Sequence, residues 1–366
     1  MNKSFIKIGN IIFIIVIVFT IAGCSNNQGL GFSPVNDNTE YSVFSIDGKI
    51  TDVKIPVKYK GKPVTRINNE GFKDYTALAS VIIPDSILNI GRQAFSGCRN
   101  LTSVTIPASV EKIGRYAFEG CINMESITIP FVGSSRDSVS DAIFRFIFAS
   151  SGPNVPSSLK KVTVTSGGNI GESAFYNCGG IESITLNETV TSIGSNAFYG
   201  CESLDNFIIP PGVTSIGSGA FNGCSSLTSI VIPDGVTSVA NNLFYGCANL
   251  ASVVIPNSVT SIGNSSFYAC GNLTEIIIPN RVTSIGQYAF YLCVSLKSVT
   301  IPDSVTAIGS YAFYECGNLT SVTIGANVNF NYQIIGSGFE TAYNNNGKTA
   351  GTYTRPNTIS IIWTKQ

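Results

Sequence analysis

Nine of the ten cysteines stand on a fixed spacing, and thiols at regular intervals can serve as metal ligands, nucleophiles or crosslinks. Apart from one gap of 57 residues, each follows the previous one by 23 residues. They are Cys98, Cys121, Cys178, Cys201, Cys224, Cys247, Cys270, Cys293 and Cys316. A zinc site gathers its ligands in one compact set, whereas one thiol per repeat gives a line, and the chain has no histidine. We therefore predict that no metal is bound here, and we predict no cofactor elsewhere.

Disulfide bonds between neighbouring repeats are the second chemistry to weigh. If each repeat is one coil of a stack, adjacent coils lie about 4.8 Å apart, within the ~4.4–6.8 Å Cα range of a bridge. However, nine is an odd number, and Tyr75 and Pro156 take the place of the thiol in two repeats. We favour a buried small hydrophobe at a fixed turn, with scattered bridges as the alternative.

Catalytic groups of other kinds are scarce. A hydrolase needs a base beside its nucleophile, and histidine is absent. Glu125, Glu182 and Asp205 share one repeat position and could supply a glycosidase pair, but elsewhere this position reads Ala, Thr or Lys, which favours solvated surface charge. A net charge of zero gives no reason to expect a nucleic-acid partner. We predict that the protein is not an enzyme.

The cysteines belong to a longer repeated pattern, C-x-x-L-x-S-V-x-I-P-x-x-V-x-x-I-G-x-x-A-F-x-G. In one copy Val104 and Ile106 alternate with polar residues, which predicts a β-strand, and Pro107 ends the strand because it cannot donate to a ladder. Ile113 belongs to a second short extended stretch, and Phe118 returns to the interior. One coil cannot bury these groups alone, so stacked coils must share a core. We predict a β-rich solenoid of about 12 coils with a parallel sheet on one face.

The N-terminus has the features of an export signal. Lys3 and Lys7 precede an apolar run, IIFIIVIVFTIA, that is shorter than the ~20 residues of a membrane span. The residues IAGC then resemble the lipobox of bacterial lipoproteins, although the usual first residue of that motif is Leu. We predict a signal peptide over 1–23 and lipidation of Cys24, with an uncleaved anchor or ordinary signal-peptidase cleavage as the alternatives. Residues 24–40, which are rich in Gly, Asn and Ser, predict a flexible tether.

The remaining domain boundaries follow from the repeat. The solenoid is predicted over 41–338, with an insertion at about 131–156. An apolar cluster in the insertion is expected to bulge from the solenoid and pack on its side; it consists of Ile143, Phe144, Phe146, Ile147 and Phe148. Residues 339–366, which contain the only Trp, are predicted to cap the last coil because its core would otherwise meet water.

The repeated LTSVTIPxSVTSIGxxAFxGC is similar to the BspA-like leucine-rich repeats, also called the Treponema-type class, and the resemblance covers about 41–338. It implies a curved leucine-rich-repeat solenoid with a parallel sheet along one face, found on bacterial surface or secreted proteins. Several members of that family are linked to adhesion to host matrix proteins or to other cells. The resemblance indicates the fold but does not identify a ligand.

Two rows of side chains are candidate ligand contacts. The outward strand position that matches Thr105 is apolar in four consecutive coils, at Ile208, Val231, Val254 and Ile277. Contiguous exposed apolar surface often marks an interface, while ordinary β propensity is the alternative explanation. A tyrosine follows the inward Phe in six coils, at Tyr176, Tyr199, Tyr245, Tyr268, Tyr291 and Tyr314. Tyrosine is enriched in interfaces, and the alternative here is packing over the coil edge with the hydroxyl outward.

Together these features predict a non-enzymatic lipoprotein of the bacterial cell envelope, lipid-anchored and exposed at the surface. We expect its solenoid to bind proteins or glycoproteins of a host matrix or cell surface, as an adhesin does. Its membrane contact is expected to be the N-terminal lipid, and no nucleic acid is expected as a partner. The alternative function is a structural or assembly component of the envelope that binds a bacterial partner.

Overall fold

A computed structural model describes most of the chain. The described residues are 29–135, 143–148, 155–330, 333–335 and 338–366. The predicted signal peptide and Cys24 lie outside them, so both stay predictions. Within the described ranges, no helix combines the length and the apolar character needed to cross a bilayer.

Each coil presents three faces around a shared core. The first face is a strand such as Ser103–Thr105, and the second is a shorter strand such as Lys112–Ile113. The third face is a turn that carries the inward Phe, such as Phe118, which is fully buried. Alternation decides which side chains reach the core, because successive strand residues point to opposite sides. Val104, for example, is buried between the exposed residues of its strand.

The strands are short and numerous. In chain order they are β1 (Leu30–Val35), β2 (Glu40–Ser45), β3 (Asp52–Lys54), β4 (Lys58–Tyr59), β5 (Lys62–Ile67), β6 (Ser80–Ile82), β7 (Asn89–Ile90), β8 (Ser103–Thr105), β9 (Lys112–Ile113), β10 (Ser126–Ile129), β11 (Lys161–Val164), β12 (Gly168–Ile170), β13 (Ser183–Thr185), β14 (Val190–Ile193), β15 (Ser215–Ile216), β16 (Ser229–Val231), β17 (Ser238–Val239), β18 (Ser252–Val254), β19 (Ser261–Ile262), β20 (Ser284–Ile285), β21 (Ser298–Ile301), β22 (Ala307–Ile308), β23 (Ser321–Ile324), β24 (Asn329–Phe330), β25 (Gly351–Thr354) and β26 (Thr364–Lys365). The helices are a 3-10 helix (Phe144–Ile147) and α1 (Phe339–Asn345).

Strands of successive coils pair in parallel, which confirms the predicted solenoid of about 12 turns. On the first face β8, β10, β11 and β13 form one ladder, and β16 with β18 and β21 with β23 form shorter ones. On the second face the ladders are β5–β7–β9, β12–β14–β15 and β17–β19–β20–β22–β24. The parallel sheet predicted on one face is therefore divided into several shorter ladders on the first face. The second face carries its own set of parallel ladders.

The third face joins the coils through stacked rings and backbone hydrogen bonds. The ring centroids of Phe95 and Phe118 are 5.3 Å apart, and those of Phe290 and Phe313 are 4.9 Å apart, with planes 7° apart in both pairs. The amide of Phe95 donates to the carbonyl oxygen of Ala117 in the next coil at 2.7 Å. We call these stacked inward rings the Phe column; they are Phe72, Phe95, Phe118, Phe175, Phe198, Phe221, Phe244, Phe267, Phe290 and Phe313. Full burial of one such side chain contributes roughly 1.5–3 kcal/mol, so the Phe column is a principal source of stability.

The first described residues form a hairpin, which differs from the flexible tether predicted over 24–40. β1 pairs antiparallel with β2 along its whole length, and β2 pairs in parallel with β5 on its other side. Leu30 and Val43 are buried, and Phe32 stacks on Tyr59 with ring centroids 4.1 Å apart. The tether prediction does not hold from Leu30 onward, because these few apolar side chains cover the exposed end of the first coil.

The insertion supplies a part of the core, contrary to the prediction that its aromatic side chains pack on the side of the solenoid. Its 3-10 helix takes the place of a third-face turn, and the amide of Phe118 donates to the carbonyl oxygen of Ile147 at 2.8 Å. Phe144 and Phe148 are buried, with Phe148 against Phe118 and Phe144 against Phe175. The reason is packing, because an aromatic missing from the Phe column would leave a costly cavity.

Residues 338–366 end the solenoid. β25 pairs antiparallel with β23, and β26 pairs antiparallel with β25. α1 buries Phe339 and Tyr343, and the rings of Tyr353 and Trp363 pack edge-on against Phe339. The reversal of strand direction covers the last first-face edge, whose backbone groups would otherwise be open to pairing with another chain.

Candidate ligand-binding surfaces

The four residues predicted as an apolar row are exposed on the first face. The exposed fractions of Ile208, Val231, Val254 and Ile277 are 81%, 60%, 52% and 79%. Val231 points outward because its chain neighbours Ile230 and Ile232 are buried in the core, and it is the cross-strand neighbour of Val254. We call these four side chains the apolar row, and its position follows from the coil register rather than from a loop.

A cleft of about 640 Å³ opens at the N-terminal end of the apolar row. Ile208 and Val231 line it from two adjacent coils, together with Phe207, Pro211 and Pro233. Residues 206–208 form no ladder with β13 before them or with β16 after them. The row therefore combines exposed branched side chains with a recess, and recesses of this kind accept the anchoring side chain of a protein partner.

Phe207 lines the cleft and was not among the residues predicted from the sequence. The inward position of the first strand is aliphatic in neighbouring coils, at Ile184 and Ile230. Phe207 instead places a ring among the Phe column, 4.8 Å from Phe198 and 5.2 Å from Phe221. Extra volume in a packed core can shift the backbone, so we infer that this ring contributes to the missing ladder, while residues 275–277 also form no ladder with β18 and their inward residue is the aliphatic Ile276. The available signal was one aromatic residue in an aliphatic repeat position.

The predicted tyrosine row lies on the third face, and all six of its side chains are half-buried. Ring centroids are 4.8 Å apart for Tyr176 and Tyr199 and 4.5 Å apart for Tyr245 and Tyr268, with nearly parallel planes. The row continues through Tyr291 and Tyr314 and is interrupted at Asn222. Because the rings cover one another, the row resembles edge packing more than an open contact surface.

The structure does not bring the two rows together, since they lie on different faces of the coil. A second stack on the third face, which sequence analysis did not single out, joins Tyr288 and Tyr311 at 5.3 Å. Burial and the neighbouring Tyr268 raise the pKa of Tyr245, so its hydroxyl stays protonated at neutral pH. The hydroxyl of Tyr245 can therefore donate a hydrogen bond, while the apolar row and its cleft offer the open surface.

All nine regularly spaced cysteines are free and buried, as the favoured prediction requires. Sequence analysis missed their hydrogen bond. Every one of them except Cys178 donates from Sγ to the carbonyl oxygen of the Phe in the preceding coil, as Cys121 does to Phe95 at 3.2 Å and Cys247 to Phe221 at 3.1 Å. Burial raises the pKa of Cys121 and Cys247 to about 12. A thiol that stays protonated is a poor nucleophile and a poor metal ligand, so these side chains are structural.

The carboxylates considered as a glycosidase pair are exposed and interleaved with a cation. Lys160 lies between Glu125 and Glu182 in the stack, and its Nζ is 3.2 Å from Oε1 of Glu182. Thr228 donates from its hydroxyl to Asp205 at 3.4 Å. This arrangement is that of solvated surface charge. Over the part of the chain that the structure describes, no three His, Cys, Asp or Glu side chains are grouped to hold a metal ion.

Comparison with known sequences identifies the repeat. A family model described as BspA type leucine rich repeat region, in six copies, matches residues 37–166, 168–274 and 260–337. A search of curated proteins returned no match.

A comparison with solved structures returned leucine-rich repeat proteins from several bacteria. A leucine rich cell surface protein from Faecalibacterium prausnitzii A2-165 is 23% identical over 82% of this chain and 94% of its own, with a TM-score of 0.39. A leucine-rich repeat protein from Bacteroides ovatus is 23% identical over 83% of this chain and 89% of its own, with a TM-score of 0.45. The pneumococcal vaccine antigen PcpA is 17% identical over 82% and 86%, with a TM-score of 0.35.

Proposed function

Because the chain belongs to the BspA-type leucine-rich repeat family, we propose that it is a non-enzymatic surface lipoprotein that binds proteins or glycoproteins and acts as an adhesin. Leucine-rich-repeat solenoids are typically protein-binding scaffolds, which supports the binding role. The cell-surface description of the Faecalibacterium prausnitzii protein supports a place in the bacterial envelope. In this proposal the ligand belongs to a host matrix or to the surface of another cell.

The apolar row with its cleft is the observation that carries this proposal. Four exposed β-branched side chains occupy the same outward position of consecutive coils, with Val231 and Val254 as direct cross-strand neighbours, and exposed apolar patches of this kind often mark interfaces. Interface energy concentrates in a few side chains that enter well-packed pockets, and the cleft between Ile208 and Val231 supplies such a pocket. We assign the main contact to this end of the row.

To test this proposal, the full chain is immobilised, and its binding of purified matrix proteins and of fixed epithelial cells is measured. Ile208→Asp with Val231→Asp should lower the affinity for the retained ligand about tenfold or more, since two anchoring side chains become charged. The matched control is Thr105→Asp with Thr300→Asp, which adds the same charge at the same outward strand position in other coils. The control should bind within about twofold of the natural chain, because peripheral contacts carry little energy.

Three results would contradict this assignment. Equal loss in both pairs of variants would mean that added charge, and not the apolar row, controls retention. Retention of neither matrix proteins nor cells would remove the adhesin proposal. Crosslinking in intact bacteria that captured only envelope proteins would instead support the envelope-assembly alternative.

Lipid anchoring is a separate part of the proposal and has a separate test. It is supported by the sequence IAGC directly after the apolar run. Fatty-acid labelling of the protein in bacteria should be lost in Cys24→Ala, and Cys316→Ala is the control because that thiol is buried in the core. Label that persisted in Cys24→Ala would show that this cysteine is not the lipid attachment site.

A further inference from the structure

Charge is distributed unevenly along this chain of zero net charge. Residues 41–121 contain eleven Lys or Arg and seven Asp or Glu, whereas residues 168–330 contain two and nine. Strand register collects part of the positive charge on the second face. Arg66 pairs with Asn89, and Asn89 pairs with Lys112, so the three form one column. The equivalent positions of later coils contain no cation; they are Asn169, Ser192, Ser215, Ser238, Ser261, Ser284, Ala307 and Asn329.

A groove of about 620 Å³ lies along this column. We call it the Arg–Lys groove, after the lining cations Arg66, Arg92 and Lys112. Its two ends are formed by parts of the chain outside the regular repeat. The N-terminal hairpin contributes Ser42 at one end, and the insertion contributes Ser135 at the other. The groove thus spans four strand steps, or about 19 Å.

The cations of the Arg–Lys groove are available to a ligand. Arg92 and Lys112 are exposed, and neither side chain forms a hydrogen bond or an ion pair with a described residue. Arg66 donates to Asn36 at 3.4 Å and lies near Glu40, whose carboxylate already accepts a 2.6 Å hydrogen bond from Thr65. A concave surface lined by one sign of charge concentrates the electric field and attracts ligands of opposite charge.

We propose that the Arg–Lys groove binds a linear anionic polysaccharide, with sulfate or carboxylate groups spaced along the sugar chain. Arg66 and Lys112 are two strand steps apart, about 9.6 Å, so they would meet different anionic groups of one extended chain. Asn89 between them offers both a donor and an acceptor to sugar hydroxyls, and Ser135 at the insertion end of the groove offers the same from its hydroxyl. This site lies on a different face from the apolar row, and it does not depend on the proposed protein-binding function.

Two other anionic partners fit the groove less well. Single-stranded nucleic acid binds where bases stack on open aromatic faces, but the guanidinium of Arg115 lies over the rings of both Tyr116 and Phe146, at 5.7 and 5.4 Å. A lipid surface is bound through apolar side chains that insert between headgroups, whereas Ile90 and Ile113 in the groove wall are buried. A linear polysaccharide that carries hydroxyls and regularly spaced anionic groups matches the groove, in which cations alternate with Asn and Ser.

The experiment compares binding of five fluorescent probes to the full chain at low and high salt. The probes are a heparin octasaccharide, a hyaluronan octasaccharide, an uncharged dextran, a single-stranded DNA of similar charge and vesicles with anionic lipids. The octasaccharides should bind and the dextran should not. Arg92→Glu with Lys112→Glu should weaken octasaccharide binding about tenfold or more, since two attractive contacts become repulsive. The matched control, Arg281→Glu with Lys297→Glu, changes the net charge equally on distant coils.

Each other outcome counts against the proposal. Equal loss in both pairs of variants would mean that overall charge attracts the glycan, without a site. Octasaccharide binding that is unaffected by Arg92→Glu with Lys112→Glu would place any site elsewhere. DNA, or vesicles with anionic lipids, that bound as tightly as heparin and lost affinity in the same variants would assign the groove to another class of partner. Melting temperatures of all variants should match the natural chain, because the altered side chains are exposed.

Discussion

The apolar row and the Arg–Lys groove are two surfaces built on the same coil. The row occupies outward first-face positions of four consecutive coils, and the groove occupies outward second-face positions nearer the N-terminus. Beneath both surfaces lie the same Phe column and the same buried thiols. The cleft of the row is lined by a ring of the core, Phe207, whereas the cations of the groove are outward side chains and its ends are formed by the hairpin and the insertion.

This comparison shows where specificity is encoded in a solenoid. Inward positions must match from coil to coil because each coil packs only on its neighbours. Outward positions are free of that constraint, so neighbouring coils can add like groups in register and build a strip of one chemistry. A change in the interior should therefore affect both surfaces together, and a change at an outward position should affect one.

The largest effect we expect is the loss of both surfaces together at high pH. Burial raises the pKa of four thiols to about 12, namely Cys121, Cys178, Cys247 and Cys316, and raises that of the other five as well. Unfolded cysteine ionises near pH 8.5, so above that pH the unfolded chain releases protons that the folded chain keeps. Stability should then fall by about 1.4 kcal/mol per pH unit for each thiol.

Thermal unfolding between pH 7 and pH 10, with the thiols kept reduced, measures this effect. The melting temperature should be steady below pH ~8 and drop steeply above it. Binding at the apolar row and at the Arg–Lys groove should disappear over the same pH interval. A flat profile would show that the thiols are not buried, and separate loss of the two surfaces would show that the two ends unfold independently.

Sequence reasoning predicts the regular coils well and their exceptions poorly. The 23-residue spacing specifies which side chains of a coil face inward, because the alternation is short-range and repeated. The role of Phe144 was missed because it fills the Phe column from outside the repeat spacing. The Arg–Lys groove was hidden by a net charge of zero, which averages a basic segment with an acidic one. Its end walls depend on long-range contacts of the hairpin and the insertion, which no repeat pattern contains.

Phe207→Val tests whether the core ring opens the cleft. With a branched aliphatic residue, as in the neighbouring coils, residues 206–208 should pair with β16, and the cleft should narrow. Hydrogen exchange of the amides in 206–208 should slow, ligand affinity at the apolar row should fall about tenfold, and binding at the Arg–Lys groove should not change. The lost ring contacts should cost about 1–3 kcal/mol of stability. Ile184→Val, at the same inward position, is the control, and unchanged exchange in Phe207→Val would refute this account of the cleft.

Cys121→Ala tests whether an interior change leaves outward surfaces intact. The variant removes the hydrogen bond from Sγ to Phe95 and leaves a small cavity, so we expect a loss of about 1–2 kcal/mol in the free energy of unfolding. Urea denaturation measures this loss, and probe binding by the folded variant should be unchanged at both surfaces. Reduced binding by fully folded Cys121→Ala would give the thiol a functional role and contradict its structural assignment.

Ser266→Ala should be the smallest effect and the only one that stabilises. Ser266 is fully buried at a core position that is Ala in most coils, and its hydroxyl has no hydrogen-bond partner among the residues that the structure describes. Removing a buried unsatisfied hydroxyl relieves its desolvation cost, so the free energy of unfolding should rise by about 1 kcal/mol. Ser265→Ala, one residue earlier and only partly buried, is the control and should change stability by less than about 0.5 kcal/mol. Ser266 lies in the interior of the coil that carries Val254. A gain in stability with unchanged binding at the apolar row would show that the core can be stabilised without affecting that surface. Cys121→Ala makes the complementary test, because it destabilises the core and should also leave binding unchanged.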